Sequence, residues 1–344
     1  MNNFLTIRRT FLKEAAALGL LSPIAFANEP SFTGTIMTVL GPIQPSEMGV
    51  ALPHEHTLVD FIGWKETGKH RYDEDEAFKA VLPHLEQLRS LGCRTFIECT
   101  PMFIGRDPAL LKRLSKASGL HILTNTGIYA AAGEKFVPDY ARSESAQQLA
   151  QRWVKEWRDG IDETGVRPGF IKVGVNNGPL SELDQKIVRA ACLTHKQTGL
   201  AIACHTGGGG AIAGEMRILK EEGVDGNALA WVHAQNEQDV DLIKQAIDFG
   251  VWVSYDKVNH NSMEKDIARV LQYKQHGALS NLHLSHDAGW YSPGQENGGD
   301  FRPFDAIFTG LLPALKNNGF TDEEIKQITH TNPQQAFTIQ KRLL

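Results

Sequence analysis

The sequence predicts an α/β fold, a (β/α)8 barrel with a short N-terminal strand pair, on three observations. Short runs rich in β-branched and apolar residues recur eight times, at 51–56, 94–100, 121–127, 169–175, 200–206, 228–233, 251–256 and 282–287. Amphipathic helical patterns separate many of them, several ending at the glycine expected after a helix. No nucleotide-fingerprint glycine loop follows the first strand, which sets the pattern apart from an open doubly wound sheet.

In chain order, the segment TIRRTFLK (Thr6 to Lys13) precedes the apolar run AAALGLLSPIAFA, which ends on an Ala25-Phe26-Ala27 cleavage pattern. Residues 1–27 resemble a twin-arginine export signal, so the mature protein is expected in the periplasm or otherwise outside the cytoplasmic membrane. The run is interrupted by Pro23 and is shorter than the roughly 20 apolar residues of a membrane span. No stable membrane insertion of the mature chain is expected. Residues 28–344 then read as a single barrel domain, because no linker divides them. The stretch from Thr33 to Gly49 reads as a strand pair with a Gly-Pro turn capping the barrel entrance. Helices are expected over Asp75–Gly92, Asp107–Gly119, Ser145–Ile161, Leu183–Gly199, Glu237–Gly250 and Ser262–Gly277. The run Gly207–Gly210 reads as a flexible loop in preference to a phosphate cradle.

Composition narrows the function. The chain of 344 residues is 42% hydrophobic and 22% charged with a net charge of −5, enough for a full core and without a basic patch for nucleic acid. Cys93, Cys99, Cys192 and Cys204 show neither C-x-x-C spacing nor a disulfide framework. Export of an already folded chain would accommodate buried thiols and a metal loaded beforehand.

In this fold catalytic groups gather where the strands end. The stretch LPHEHTLVD (Leu52 to Asp60) ends the first strand, and strand alternation puts His54 and His56 on one face with Glu55 opposite. Lys172 lies in the fourth strand, and His205, His233 and Asp287 end the fifth, sixth and eighth. Six residues of metal-ligand type therefore point to one mouth. Lys172 is the most informative, since an unpaired ammonium buried in GFIKVGV would cost several kcal/mol. Burial favours the neutral amine, which can take up carbon dioxide and become a carbamate able to bridge two cations. A buried ion pair and a Schiff-base lysine are the competing readings. The surrounding histidines and aspartate favour the carbamate.

At this point the chain resembles the phosphotriesterase family of the amidohydrolase superfamily, through GPIQPSEMGVALPHEH, IGRDPALLKRLSKASGLHILTNTGIY, RPGFIKVGV, CHTG, WVHAQNE, SHDAGW and THTNPQQAF. The resemblance implies that His54, His56 and Asp287 hold the more buried of two divalent cations and that His205 and His233 hold the more exposed one. Carbamylated Lys172 would bridge them together with a hydroxide, the nucleophile. Zinc comes first for such ligands, with manganese, cobalt or iron as alternatives. Asp287 would take the proton of the attacking hydroxide.

Substrate residues are expected at Tyr129, Asp256, Lys257 and Trp290. Tyr129 matches a tyrosine of lactonase relatives, where organophosphate-degrading members typically carry tryptophan. Asp256-Lys257 departs from the Asp-Arg pair of the lactonases, and lysine is no bidentate substitute for arginine. Trp290 and Tyr291 open a glycine-rich loop, Ala288 to Arg302, suited to walling the pocket. Lys257 and Arg302 would favour an anionic substrate if they reach the pocket. His286 reads as support or packing, His195 and His276 as surface residues, and His330 as preceding a helix cap. The expected partner is a small-molecule ester, a lactone or carboxylic ester ahead of a phosphotriester, with a homodimer left open. A Schiff-base lyase using Lys172 and an inactive exported binding protein are the alternatives.

Overall fold

The computed structural model describes residues 31–344, so the expected export signal at 1–27 lies outside the described residues. The chain first forms an antiparallel hairpin, β1 (Ile36–Thr38) and β2 (Gly41–Ile43), with Thr38 paired to Gly41. The turn is therefore Val39-Leu40, and Gly41-Pro42 opens the second strand instead of forming the turn. The Thr38 hydroxyl explains the shift: it donates to the Gly41 carbonyl and accepts from the Leu40 N–H, closing the chain two residues early. Ile36 packs with Ala51, Leu123 and Phe170, so the hairpin covers the end where the barrel strands begin.

The barrel strands are β3 (Ala51–Glu55), β4 (Thr95–Glu98), β5 (His121–Leu123), β6 (Asn125–Thr126), β7 (Phe170–Val175), β8 (Ile202–Thr206), β9 (Leu229–Val232), β10 (Trp252–Tyr255) and β11 (Leu282–Leu284). All pair in parallel, β3 through β5 in one ladder and β6 through β11 in another. β5 and β6 are two halves of the third barrel strand, separated at Thr124. The seam from β11 back to β3 has no regular ladder among the described residues. It is closed by His56 N–H to the Ala288 carbonyl at 3.1 Å and by exchanges between Tyr291 and both Thr57 and Val59.

Helices pack outside this ring where local capping starts and stops them. Asp107 accepts from the N–H groups of Ala109 and Leu110 to start Pro108–Ser118, and Gly119 ends that helix at φ 71°. Ser145 and Gln148 form a capping box for Ala146–Asp159. Val240–Asp248 begins three residues later than expected because the Asp239 carboxylate takes the Asp241 and Leu242 N–H groups. A further helix, Ala211–Glu222, follows Gly210 directly. The run before it is held by Gly208 N–H to Asn177 Oδ1 and Gly210 N–H to Glu237 Oε2.

THTNP is not a cap. Thr331 and Asn332 are helical, and Asn332 instead donates to the Leu279 and Leu282 carbonyls, tying a continuous helical segment to β11. His195 is fully buried, its Nδ1 at 2.8 Å from the Leu200 carbonyl and its Nε2 accepting the Arg342 N–H, in place of the surface position expected. His276 is exposed.

Two apolar layers result. Ile171, Val173 and Val175 of β7 face the helices, whereas Phe170 joins Ala201, Ala203, Ala230 and Phe337 inside the lower barrel. Alternation then turns Lys172 inward, one layer above Phe170. Burying a phenylalanine of this kind contributes roughly 1.5–3 kcal/mol, so the lower interior stabilises the ring while the upper interior is left to polar groups.

Candidate metal centre

Backbone irregularities aim the polar groups. Ala51 faces the interior and Leu52 the helices, so strict alternation would point His54 outward. The β3–β4 register shifts between Leu52 and Glu55, and the His54 N–H donates to Ser285 Oγ at 2.9 Å. That bulge brings His54 inward beside His56, with Glu55 directed to the far side. His233 and Asp287 take left-handed backbone at φ 65° and φ 53°, a conformation costing on the order of 1 kcal/mol or more for such residues. Gly127, at φ 125°, lets the third strand press on the fourth: a Cβ there would lie 2.1 Å from the Lys172 carbonyl oxygen.

The imidazole Nε2 atoms converge on Asp287. His56 Nε2 lies 3.1 Å from its carboxylate, His54 Nε2 3.9 Å and His233 Nε2 4.0 Å. His205 completes the cluster, its ring centroid 4.6 Å from that of His233. The Nδ1 atoms face support. Those of His54 and His233 approach Asp256 Oδ2 at 3.3 and 3.5 Å, and that of His56 meets Thr100 Oγ1 at 2.8 Å. Thr100 in turn donates to Glu98 Oε1 at 2.6 Å. A hydrogen bond behind the ring, as His56 makes to Thr100, orients a histidine to present Nε2 as metal ligands do, while Asp256 stands near the other two rings without a formed bond to their Nδ1 atoms.

The electrostatics agree. Burial lowers the pKa of His54 and His205 well below the usual value and that of His233 to about 3, keeping lone pairs free. Burial pushes the Asp287 carboxyl up, but the His56 hydrogen bond and the neighbouring histidines outweigh it and hold the group well below the usual range. Lys172 is 2% exposed, and its Nζ has no hydrogen-bond partner among the described residues. Two sets of donor atoms lie close enough to hold a metal ion, His54/His56/Asp287 and His54/His233/Asp256. Imidazole and carboxylate suit a divalent cation. Burial raises the pKa of the Cys99 thiol beside them, so no thiolate competes.

These groups line a cavity of about 110 Å³ that also includes Tyr129 and Trp290. The Tyr129 ring stands edge-on to His205 at 4.9 Å, and Trp290 edge-on to His56 at 6.1 Å. The structure does not bring Asp256 into this cavity. It is 0% exposed, accepts the His233 N–H at 2.8 Å and the Ser254 hydroxyl at 2.6 Å, and stands behind the histidines. Lys257 is exposed outside this cavity, its Nζ 3.3 Å from Asn236 Oδ1. His286 is a supporting residue, bonded to Glu55 and to the Ile307 N–H.

Sequence reasoning missed Glu55, Glu98 and Thr100. Glu55 is the most consequential, since its carboxylate accepts from Ser285, His286 and the Ala288 N–H and thereby fixes the segment carrying Asp287. Two acidic residues in strands otherwise short of charge, Glu55 and Glu98, were the available signal.

A parallel α/β barrel with a buried cluster of His, Asp and Lys side chains near its strand ends has an enzyme-type site whose His and Asp groups could hold a metal ion. Residues 34–337 match the model of the phosphotriesterase family, and the chain belongs to that family. It is 30% identical over 293 residues to a phosphotriesterase homology protein of Escherichia coli, covering 84% of this chain and 98% of that one. It is 27% identical over 307 residues to an aryldialkylphosphatase of Saccharolobus solfataricus, covering 86% and 97%. Among solved structures, a mutant organophosphorus hydrolase from Deinococcus radiodurans superposes with a TM-score of 0.80 at 25% identity, covering 90% of this chain and 99% of that one.

Proposed function

We propose that the chain is an exported hydrolase using two divalent cations, zinc first, that acts on lactones or carboxylic esters in preference to phosphotriesters. Lys172 carries this reading, as a buried amine without a partner among imidazoles and a carboxylate. Its reaction with carbon dioxide would form an N–C bond, release a proton and yield a carbamate able to help hold the cations. His54, His56 and Asp287 would hold one cation, and His205 and His233 the other. When bound, the pair supplies Lewis-acid activation of water and of the scissile carbonyl or phosphoryl oxygen.

The chain's own residues do the rest. Asp287 is ionised and hydrogen-bonded to His56, so it accepts the proton released in the attack and returns it to the leaving group. Thr100 holds the His56 ring, and Asp256 holds the His233 backbone and lies close to the His54 and His233 rings. Burial keeps the Tyr129 phenol protonated, so it donates to a substrate oxygen. The Trp290 Nε1, buried without a partner among the described residues, offers a second donor on the wall. Val59, Phe61 and Ile104 supply the apolar lining. The histidines around Lys172 have no role in a Schiff-base lyase, which sets that alternative aside.

The test is metal content and turnover of an ester panel for the wild type and Lys172→Ala. The variant should lose both metal and activity, and short carboxylic acids should restore part of the rate. Unmodified Lys172 in a metal-replete, fully active enzyme would contradict the reading. The ester preference rests on Tyr129, and kcat/KM for lactones against an aryl dialkyl phosphate decides it, a tenfold phosphotriester preference being the contrary result. Export is tested by replacing Arg8 and Arg9 with lysine, which should block it; normal export of that variant would reject the twin-arginine route.

A further inference from the structure

Beside the metal cavity, at the same end of the barrel, lies a hollow of about 440 Å³ that shares Asp287 with it. Lys257 and His260, after β10, form one side. Arg302 and Asp305, after β11, form the other. His260 and Asp305 are engaged with each other, with 3.1 Å between Nε2 and Oδ1. Lys257 and Arg302 are not so engaged. Lys257 reaches only the neutral Asn236 amide, and the Arg302 guanidinium lies 3.5 Å from the centroid of the Trp290 ring. Neither forms an ion pair among the described residues, so two unpaired cations line the hollow together with the Asp256 and Asp287 carboxylates.

Arg302 is not free to drift. Its N–H and C=O exchange hydrogen bonds with Gly289 at 2.9 Å each, two residues from Asp287. Gly289 has φ 92°, and a Cβ there would lie 1.8 Å from the His56 carbonyl oxygen. The backbone of Arg302 is thus registered to both a candidate metal ligand and the proton acceptor. Trp290, on which the guanidinium stacks, lines the metal cavity. The arginine therefore stands one aromatic ring away from the place of reaction.

We propose that this hollow receives an oxyanion of the substrate, a carboxylate or phosphate monoester remote from the scissile bond, bound by Arg302 and Lys257. The proposal rests on the hydrolase reading above and names its substrate class. A planar guanidinium pairs two N–H groups with such an oxyanion, while the lysine adds a point charge. The Asp287 carboxylate, also on the wall, would orient the anion toward the Arg302 side by repulsion.

The experiment compares an aryl monoester of glutaric acid with its methyl-capped neutral counterpart, on metal-loaded enzyme at low salt. Wild type should favour the anionic ester in kcat/KM by about tenfold or more. In Arg302→Gln that ratio should collapse toward one through a raised KM for the anionic ester, and Lys257→Gln should lower it by a smaller factor. High salt should also reduce it. A wild-type ratio near one in both this arm and the phosphate arm below, or a ratio unchanged in Arg302→Gln, overturns the proposal. A second arm with a lactone bearing a phosphate monoester and its dephosphorylated form distinguishes the two oxyanions, and preference in either arm supports the proposal. Binding separates this from failure of the hydrolase reading. Glutarate should bind wild type at least tenfold more tightly than butyrate and lose that advantage in Arg302→Gln, whether or not any ester turns over. Equal affinities, with no preference for the phosphorylated lactone over its dephosphorylated form, would reject the oxyanion site.

Discussion

The two ends of the barrel both bury histidine, and they use it differently. At the mouth, His54, His56 and His233 turn Nε2 toward one carboxylate and Nδ1 toward Asp256 or Thr100. At the floor, His283 lies between Trp252, stacked at 5.3 Å and 8°, and Phe337 at 6.1 Å. Neither of its ring nitrogens has a full hydrogen-bond partner among the described residues, the Asn332 backbone offering only a weak one. Burial lowers its pKa to about 4, much as it lowers that of His233. Burial and a depressed pKa therefore do not distinguish a candidate ligand from a packing ring. What distinguishes them is convergence: several Nε2 atoms aimed at one carboxylate, with the Asp256 carboxylate close behind two of the rings and Thr100 bonded to a third.

The largest break in that comparison should come from Asp287→Asn, which keeps the shape of the mouth but removes the proposed proton acceptor. Turnover should fall on the order of 10²- to 10⁴-fold, and a variant with near-normal turnover would remove Asp287 from that role. Asp256→Ala removes the carboxylate behind the histidines, which lies outside the metal cavity and belongs to one of the two candidate donor sets. Metal affinity or activity should fall about 10- to 100-fold, read by metal titration alongside kcat. An unchanged titration would reduce Asp256 to a packing residue.

Two stability measurements sharpen the contrast away from the centre. Glu215, on the helix after β8, is fully buried, and neither carboxylate oxygen has a full hydrogen-bond partner among the described residues. Burial pushes its carboxyl up to about 7, only partly offset by Thr206 and Cys204 beside it. The folded chain keeps a proton there that the unfolded chain releases from about pH 4.5 upward, so stability falls as pH rises through this window. Glu215→Gln should remove that fall and gain about 3 kcal/mol relative to wild type at pH 8, with little gain at pH 4.

His283 acts with the opposite sign. The unfolded chain takes up a proton below about pH 6.5 that the folded chain refuses until about pH 4, so stability is lost as pH falls between them. His283→Phe should remove up to about 3 kcal/mol of that acid loss and change turnover by less than about twofold. Denaturant melts from pH 4 to 8 measure both. A steep loss of turnover in His283→Phe would erase the distinction between floor and mouth.

Much of the architecture was legible before folding was considered. The alternation in GFIKVGV sends Ile171, Val173 and Val175 to the helices and Lys172 inward, because side-chain direction along a strand follows from local backbone sterics. Asp107 and Gly119 mark the ends of one helix for the same local reason. The identity of the ligand-type residues, and their gathering where strands end, likewise belongs to the sequence.

What tertiary structure alone decided is how those residues aim. His54 turns inward because its N–H leaves the strand ladder for Ser285, at the far end of the barrel sequence. The left-handed turn at His233 is held by the Asp256 carboxylate, and the segment around Asp287 by Glu55. The same closure buried Asp256 behind the histidines and set Arg302 beside Gly289. Each of these contacts joins residues far apart in the chain. Hydrogen bonds of that kind form only once the barrel has closed, so no local pattern of residues can encode them.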